Sequence, residues 1–246
     1  MLYSPHAVRK ARALPHAQRG FTIVELSVAV AIAGVLLVSA IALVQVVLRQ
    51  TRANDLVSSI PRTITQIDKM YARAADYAGL NTAVAIGFGA FDGAFDIVGP
   101  ANARVALHRF GYQTLAQAAD NFRNVAAPPA PAGGGAAPPA DPSAYAVMYA
   151  GVPRAACADV VSSASASGVL GLIVVPEATV GTPAFTAANA QLLRLTMFDA
   201  TATPAPAGVV VKGTTQNSAL NVAAMSGANA CGTNNDTVTI AMVNWK

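Results

Sequence analysis

The sequence predicts an α+β protein, with one very long amino-terminal helix followed by an antiparallel β-sheet. The first observation behind this prediction is a stretch of 23 residues without a formal charge, residues 26–48. The second is that apolar residues continue beyond this stretch at steps of three or four, which is the spacing of one helix face. The third is a series of short β-branched runs in the carboxyl-terminal half, the pattern of strands.

The basic residues are unevenly distributed. The net charge is +4, and Arg9, Lys10, Arg12 and Arg19 all lie within residues 1–20, which contain no acidic residue. The remaining chain carries 12 basic residues, the 16 of the whole chain less these four, and 12 acidic ones. Binding of a nucleic acid needs a basic surface on the folded body, so we expect no nucleic-acid partner. The basic segment is instead typical of an amino-terminal leader.

Residues 21–50 are predicted to form a transmembrane helix with Glu25 as its one acidic residue. Residues 26–48 alone would span about 35 Å as a helix, enough to cross the hydrocarbon core of a membrane. Basic residues in front keep that end in the cytoplasm, so the rest of the chain is expected to be translocated. A cleaved signal peptide is one alternative, but its apolar part is only about 7–15 residues long. An uncleaved anchor is another, and it leaves the costly ionisable group of Glu25 unexplained.

Residues 51–78 are predicted to continue the same helix as an amphipathic segment, with charged residues outside the apolar face. Pro61 interrupts that face and should kink the helix, or restart it with Ser58 or Ser59 as the cap, so two helices are the alternative. Gly79 is the predicted stop. The apolar face consists of Leu56, Ile60, Ile64, Ile67, Tyr71 and Ala74.

Residues 79–246 are predicted to form a globular head whose sheet covers the second half of the helix. Residues 126–142 are a tract of Ala, Pro and Gly that cannot form a core, so we expect an exposed loop inside one domain rather than a boundary between two. Residues 80–125 are mixed in pattern. The predicted elements are strands at 145–150, 169–175, 209–212 and 237–244, short helices at 153–163 and 217–226, and a helix or strand at 186–198.

No catalytic, metal or cofactor site is predicted. Asp92 and Asp96 lie in the Gly- and Phe-rich run 87–100, where two carboxylates without further ligands are more typical of a solvated loop than of a metal site. His108 has no flanking acid or cysteine, which favours a structural histidine over a catalytic one. We therefore expect a protein that is not an enzyme.

The segment Arg19-Gly20-Phe21-Thr22-Ile23-Val24-Glu25-Leu26, with a basic leader before it and an apolar helix after it, resembles the processing site of type IV prepilins, the class III leader. The resemblance implies that a prepilin peptidase cuts between Gly20 and Phe21 and methylates the new amine of Phe21. It also implies an assembly role for Glu25, the fifth residue of the mature chain, opposite the amine of a neighbouring subunit. The residues agree, since Gly20 allows the backbone into a tight protease site.

The carboxyl-terminal half is similar to the type IVb branch of that family, particularly subunits of thin or conjugative pili and of bundle-forming pili. The similarity rests on residues 149–154 (Tyr-Ala-Gly-Val-Pro-Arg) followed by Cys157, and on residues 220–223 (Leu-Asn-Val-Ala) leading to Cys231. Phe21 departs from this branch, because it is more typical of type IVa pilins.

Cys157 and Cys231 are predicted to form a disulfide. The expected translocation places both cysteines in an oxidising compartment, where an even number of cysteines normally pairs. Two buried free thiols are the alternative.

The resemblance implies a structural subunit that polymerises with copies of itself, its apolar helices forming the core of a helical filament. Its expected partners are prepilin peptidase and an assembly ATPase with its platform proteins. Its expected location is the bacterial inner membrane, as a single-pass protein, and then the extracellular pilus. The alternatives are a minor pilin or a type II secretion pseudopilin and, from another class, a membrane-anchored binding protein of the cell envelope.

Overall fold

The computed structural model of the chain describes residues 21–100, 104–119, 142–180, 208–213 and 218–245. It divides into two compact units, Met1–Val47 and Leu48–Lys246. The first contains the apolar part of a long helix, and the second contains the sheet and the other helices.

The first helix, α1, is Ile23–Met70 and has 48 residues. It begins at a polar cap, because the Thr22 side-chain oxygen accepts a hydrogen bond from the Glu25 amide at 3.2 Å. Pro61 lies inside α1, so the predicted single helix is found and the alternative of two helices is not. The Pro61 carbonyl accepts a side-chain hydrogen bond from the Thr65 hydroxyl at 2.7 Å.

The helix ends at Met70, so the predicted end at residue 78 and the predicted stop at Gly79 are wrong. The cause is Tyr77, which folds back on the helix and donates its hydroxyl proton to Asp68 Oδ1 at 3.2 Å. In a continuing helix, nine residues would separate these positions by roughly 13 Å. The Tyr77 amide also donates to the Pro142 carbonyl at 2.7 Å. Burial of Tyr77 against the sheet therefore outweighs the helical periodicity of the sequence.

The strands that the structure describes are β1 Asp96–Val98, β2 Val105–Leu107, β3 Gln113–Ala119, β4 Ala144–Pro153, β5 Gly171–Pro176, β6 Val209–Lys212 and β7 Thr237–Trp245. These seven described strands form one antiparallel sheet in the order β1-β2-β3-β4-β7-β5-β6. Its central pair joins β4 to β7. The long helix and this sheet confirm the predicted α+β class.

Three further helices within the described ranges are short. The first, α2 (Thr82–Gly87), starts at Asn81, whose side chain accepts from the Val84 amide at 3.0 Å. The second, α3 (Arg154–Ala166), follows Pro153, which ends β4 and takes the cap position rather than the first helical turn. The third, α4, is Val222–Met225.

Each of the four predicted strands corresponds to an observed one, and the two predicted short helices correspond to α3 and α4. Four elements, α2, β1, β2 and β3, arise in the region whose pattern was mixed. The prediction at 186–198 lies outside the described residues, and so does the tract at 126–142 except for Pro142.

Both faces of the sheet are buried, and only one of them carries described helices. On that face Tyr145, Val147 and Tyr149 of β4 pack in one cluster with Leu56, Ile60 and Ile67 of α1 and with Val160 and Val161 of α3. The second cluster has its described members on strands, among them Leu115, Met148, Ile173, Ala241 and Val243. Successive strand residues point to opposite faces, so burial on both faces explains the continuously apolar runs in β4, β5 and β7.

The central strand β4 carries a bulge between Tyr149 and Val152, where its register with β7 shifts. Gly151 occupies this bulge with φ of +64°. A Cβ atom at Gly151 would overlap the ring of Tyr112. Two separate features therefore require glycine at position 151: the backbone conformation and the close approach of an aromatic ring.

We predict that Gly151→Ala destabilises the protein more than Gly168→Ala does. Gly168 also has positive φ, +83°, but a Cβ there meets nothing within 4 Å. The conformational strain of about 1 kcal/mol is common to both variants, and the clash with Tyr112 adds about 1–3 kcal/mol at Gly151 alone. Thermal and urea unfolding of the detergent-solubilised chain measures both. Equal stability of the two variants would contradict the packing described for Tyr112.

Candidate functional site

Residues 21–48 are exposed on every side of α1, although most of them are apolar. Phe21 is 79% exposed, and Ile23, Leu36 and Leu43 are each more than half exposed. Within the described residues, α1 is the one helix that is long and apolar enough to cross a membrane. A helix that is apolar all round is stable only when lipid or protein covers it.

Glu25 lies in the first turn of this apolar helix. The Glu25 amide donates to the Thr22 hydroxyl oxygen, and the Glu25 residue is exposed. A carboxylate in the first turn is favoured by the partial positive charge of the helix amino terminus. The sequence supplies no Lys, Arg or His between Phe21 and Leu48, so within this stretch the amine of a chain beginning at Phe21 would be the nearest cation. The Thr22 cap is a feature that the sequence prediction missed, although a Thr three residues before Glu is a known capping signature.

The two predicted processing residues differ in what the structure describes. Gly20 lies outside the described residues, whereas Phe21 is the first residue inside them. Phe21 precedes α1 and is exposed.

Cys157 and Cys231 are joined by a disulfide, with their Cα atoms 5.5 Å apart. Cys157 is buried in the first turn of α3, and Cys231 lies in the turns between α4 and β7. A hydrogen bond links the same two segments, because Arg154 Nη1 donates to the Thr233 carbonyl at 2.9 Å. The Arg154 amide also donates to the Asp236 carbonyl at 3.0 Å. Together these links hold the segment before β7 against the start of α3, and Arg154 is a contributor that the sequence prediction did not name.

Asp96, one of the two acids weighed as metal ligands, forms an ion pair with Arg109 at 3.3 Å. Arg109 also donates to the Gly93 carbonyl at 3.3 Å, so a side-chain cation occupies this part of the loop. Across the ranges that the structure describes, no three His, Cys, Asp or Glu side chains come together as metal ligands.

His108 is buried at the end of β2, with 1% of its surface exposed. Burial lowers the pKa of its imidazole, while the Ala150 carbonyl and the nearby carboxylate of Glu177 act in the opposite direction. Glu177 is itself buried and directly follows β5. The sequence prediction missed it; the available signal was a single acid immediately after a β-branched run and Pro176.

The amino-terminal segment has a match among family models. Residues 15–41 match the prokaryotic N-terminal methylation motif. This chain carries an N-terminal methylation motif. The match contains Gly20, Phe21 and Glu25 and extends into the apolar part of α1.

Similarity beyond this segment is low. The fold is similar to the crystal structure of TcpA, a type IV pilin from Vibrio cholerae El Tor biotype, with 17% sequence identity and a TM-score of 0.44. The similarity covers 79% of this chain and 99% of that one. No curated protein matches the chain. The similarity to the type IVb branch remains a prediction.

We predict that Cys157 and Cys231 are oxidised in the protein from its native host. Thiol labelling of unreduced, denatured protein should detect no free thiol, and two labelled cysteines would contradict the bond. Replacing both cysteines by Ser, which leaves no unpaired thiol, should lower the free energy of unfolding. For the separation of 74 residues, the loop-entropy model sets an upper limit of about 4.5 kcal/mol on that loss.

Proposed function

We propose that this protein is a pilin subunit that prepilin peptidase cuts after Gly20 and that polymerises with its own copies into a type IV pilus. The observation that supports the proposal is the position of the methylation motif: it covers residues 15–41 and so includes the apolar start of α1. Cleavage at that position removes the basic leader and leaves the whole apolar helix on the mature chain. A signal peptidase acting after an apolar segment would remove the anchor instead.

The exposed apolar helix supplies the physical reason for two locations. Before assembly, residues 21–48 lie in the bacterial inner membrane, where lipid covers their side chains. After extraction by an assembly ATPase and its platform proteins, the same side chains are covered by the helices of neighbouring subunits in an extracellular filament. The head is then on the outer side of the membrane, where a disulfide is stable.

Glu25 and the amine of Phe21 give the assembly its register in this proposal. A carboxylate that leaves the membrane interface for an apolar filament core needs a partner, because an unpaired buried charge is costly. The amine of an adjacent subunit is the available cation, since residues 21–48 contain no other. At ~4 Å and an effective dielectric constant near 20, such a pair gains about 4 kcal/mol before desolvation.

A minor pilin or a type II secretion pseudopilin is the second candidate, because the same leader and helix would serve it. The disulfide of the head favours the pilin, since pseudopilins commonly lack such a pair. Electron microscopy of a deletion strain separates the candidates: loss of all filaments indicates a major subunit, and fewer filaments indicate a minor one. A membrane-anchored envelope binding protein, the third candidate, would leave filaments and secretion unchanged.

We predict that the mature chain begins at Phe21, carries a methylated amine and has 226 residues, the 246 of the full chain less residues 1–20. Intact-mass measurement of the native protein checks this. Gly20→Leu should block cleavage, because a branched side chain cannot enter the tight site that glycine fits. The matched control is Gly34→Leu inside α1, where a Cβ atom meets nothing within 4 Å; it should be cleaved normally. Native protein that retains residues 1–20 would refute the processing step.

We also predict that Glu25→Ala and Glu25→Gln abolish or sharply reduce filaments while cleavage after Gly20 continues. The glutamine variant keeps the size of the side chain, so its effect reports the charge alone. Asp55→Asn, which removes a carboxylate from the amphipathic part of the same helix, is the control and should assemble. Filament counts by electron microscopy and the mass of the membrane-bound subunit give the two readouts. Normal filament number in Glu25→Gln would show that the charge does not govern assembly.

A further inference from the structure

One peptide group in the sheet makes hydrogen bonds to two buried ionisable residues, one at its carbonyl and one at its amide. It is the Ala150–Gly151 peptide in the bulge of β4, where the register with β7 shifts. Its carbonyl lies 2.6 Å from His108 Nε2, and its amide donates to Glu177 Oε1 at 2.7 Å. His108 follows β2 and Glu177 follows β5. Because β2 and β5 lie on opposite sides of β4 in the strand order, this peptide links residues from both halves of the sheet.

The hydrogen bonds fix the protonation of His108. Nδ1 accepts from the Phe110 amide at 3.3 Å, so it carries no proton. Nε2 must then carry the proton that it donates to the Ala150 carbonyl. The neutral imidazole thus satisfies both of its nitrogens inside the protein.

The carboxylate of Glu177 is held by donors on the opposite side. Besides the Gly151 amide, it accepts from the hydroxyl of Thr237 at 2.7 Å and from that of Thr239 at 2.6 Å. Glu177 is 4% exposed. Hydrogen bonds that share a peptide polarise one another, so His108 and Glu177 are coupled through Ala150–Gly151.

The surroundings of His108 are aromatic. The rings of Phe110, Tyr112 and Tyr149 lie with centroids 5.8, 6.5 and 6.3 Å from the imidazole. Among the titratable groups that face it, Glu177 favours the protonated imidazole, and burial raises the pKa of Tyr149 above its usual range. The guanidinium of the neighbouring Arg109 is engaged with Asp96.

We infer that His108 is an acid-sensitive latch: at neutral pH its Nδ1 accepts from the Phe110 amide and holds the turn between β2 and β3, this bond is lost in mildly acidic medium, and the Ala150–Gly151 peptide couples the imidazole to Glu177. A proton added to Nδ1 would face the Phe110 amide proton, so two donors would oppose each other. The bond to Phe110 is then lost, and a positive charge is left in a buried site. Loosening begins in the turn between β2 and β3, which is closed by the bonds from the His108 amide to the Tyr112 carbonyl and from the Gly111 amide to the His108 carbonyl.

The direction of the pH effect follows from the burial of His108. Its pKa in the folded protein lies below the ordinary 6.5, so the unfolded chain binds the proton more readily. The contribution of His108 to the free energy of unfolding is therefore complete above pH 6.5, and it falls as the pH drops from 6.5 through the pKa of His108 in the folded state. The inference concerns the head and holds whether or not the chain forms filaments.

The first experiment follows thermal unfolding of the full chain in detergent by circular dichroism, between pH 8 and pH 5. We expect the wild type to lose about 3–6 °C of melting temperature below pH 6.5. His108→Gln can still donate to the Ala150 carbonyl but does not titrate, so it should lose less than half of that amount. His16→Gln, which changes a histidine of the leader, is the control and should behave as the wild type. An equal loss in His108→Gln and the wild type would overturn the latch.

The second experiment keeps the inference testable if the glutamine variant fails to fold. Nuclear magnetic resonance of the full chain, with histidines isotopically labelled, follows the titration of His108 in the wild type. We expect a midpoint below 6.5, with the Phe110 and Gly151 amides shifting at that same midpoint. Glu177→Gln should move the midpoint to lower pH, because the carboxylate favours the protonated imidazole. A midpoint at or above 6.5, a Gly151 amide that does not follow it, or a midpoint unchanged in Glu177→Gln would each refute the coupling.

Discussion

An apolar helix surface that its own chain leaves exposed is the constraint on which the rest of this protein depends. Between Phe21 and Leu48 the helix presents large aliphatic side chains on every face, so it must lie in lipid or among other protein helices. Glu25 is the one charged residue within that surface. The same segment therefore combines a strong demand for apolar cover with one ionisable group.

The head, which contains the sheet and the helices packed on it, is stabilised by a different set of interactions. Leu56, Ile60 and Ile67 of α1 belong to the same core cluster as strand residues of the sheet. The disulfide and Arg154 fix the segment before β7 to α3. At the bulge of β4, hydrogen bonds from side chains replace those of the ladder, because buried peptide groups must find partners somewhere. The head is thus held by a few long-range ties in addition to its core.

The sequence was informative where one physical rule acted alone. The apolar run and the basic leader needed only composition and order, whereas Gly20 and Phe21 were named from a family resemblance; a methylation motif matches residues 15–41. The β-branched runs predicted β5, β6 and β7 for the same reason. The end of α1 was predicted wrongly because Tyr71 and Ala74 continue the helical period, while the contact of Tyr77 with Asp68 decides the outcome. Glu177 and Arg154 were missed since their partners lie 26 and 79 positions away in the sequence, and spacing carries no signal for such pairs.

The order of the strands determines when the head can form during synthesis. The final strand, β7, pairs with both β4 and β5 and so occupies the middle of the sheet. Until residue 245 has left the ribosome, the earlier strands form two separate groups that lack the strand between them. A chain with this topology cannot close its sheet until β7 has been made, because the contacts that close the sheet are distant in sequence.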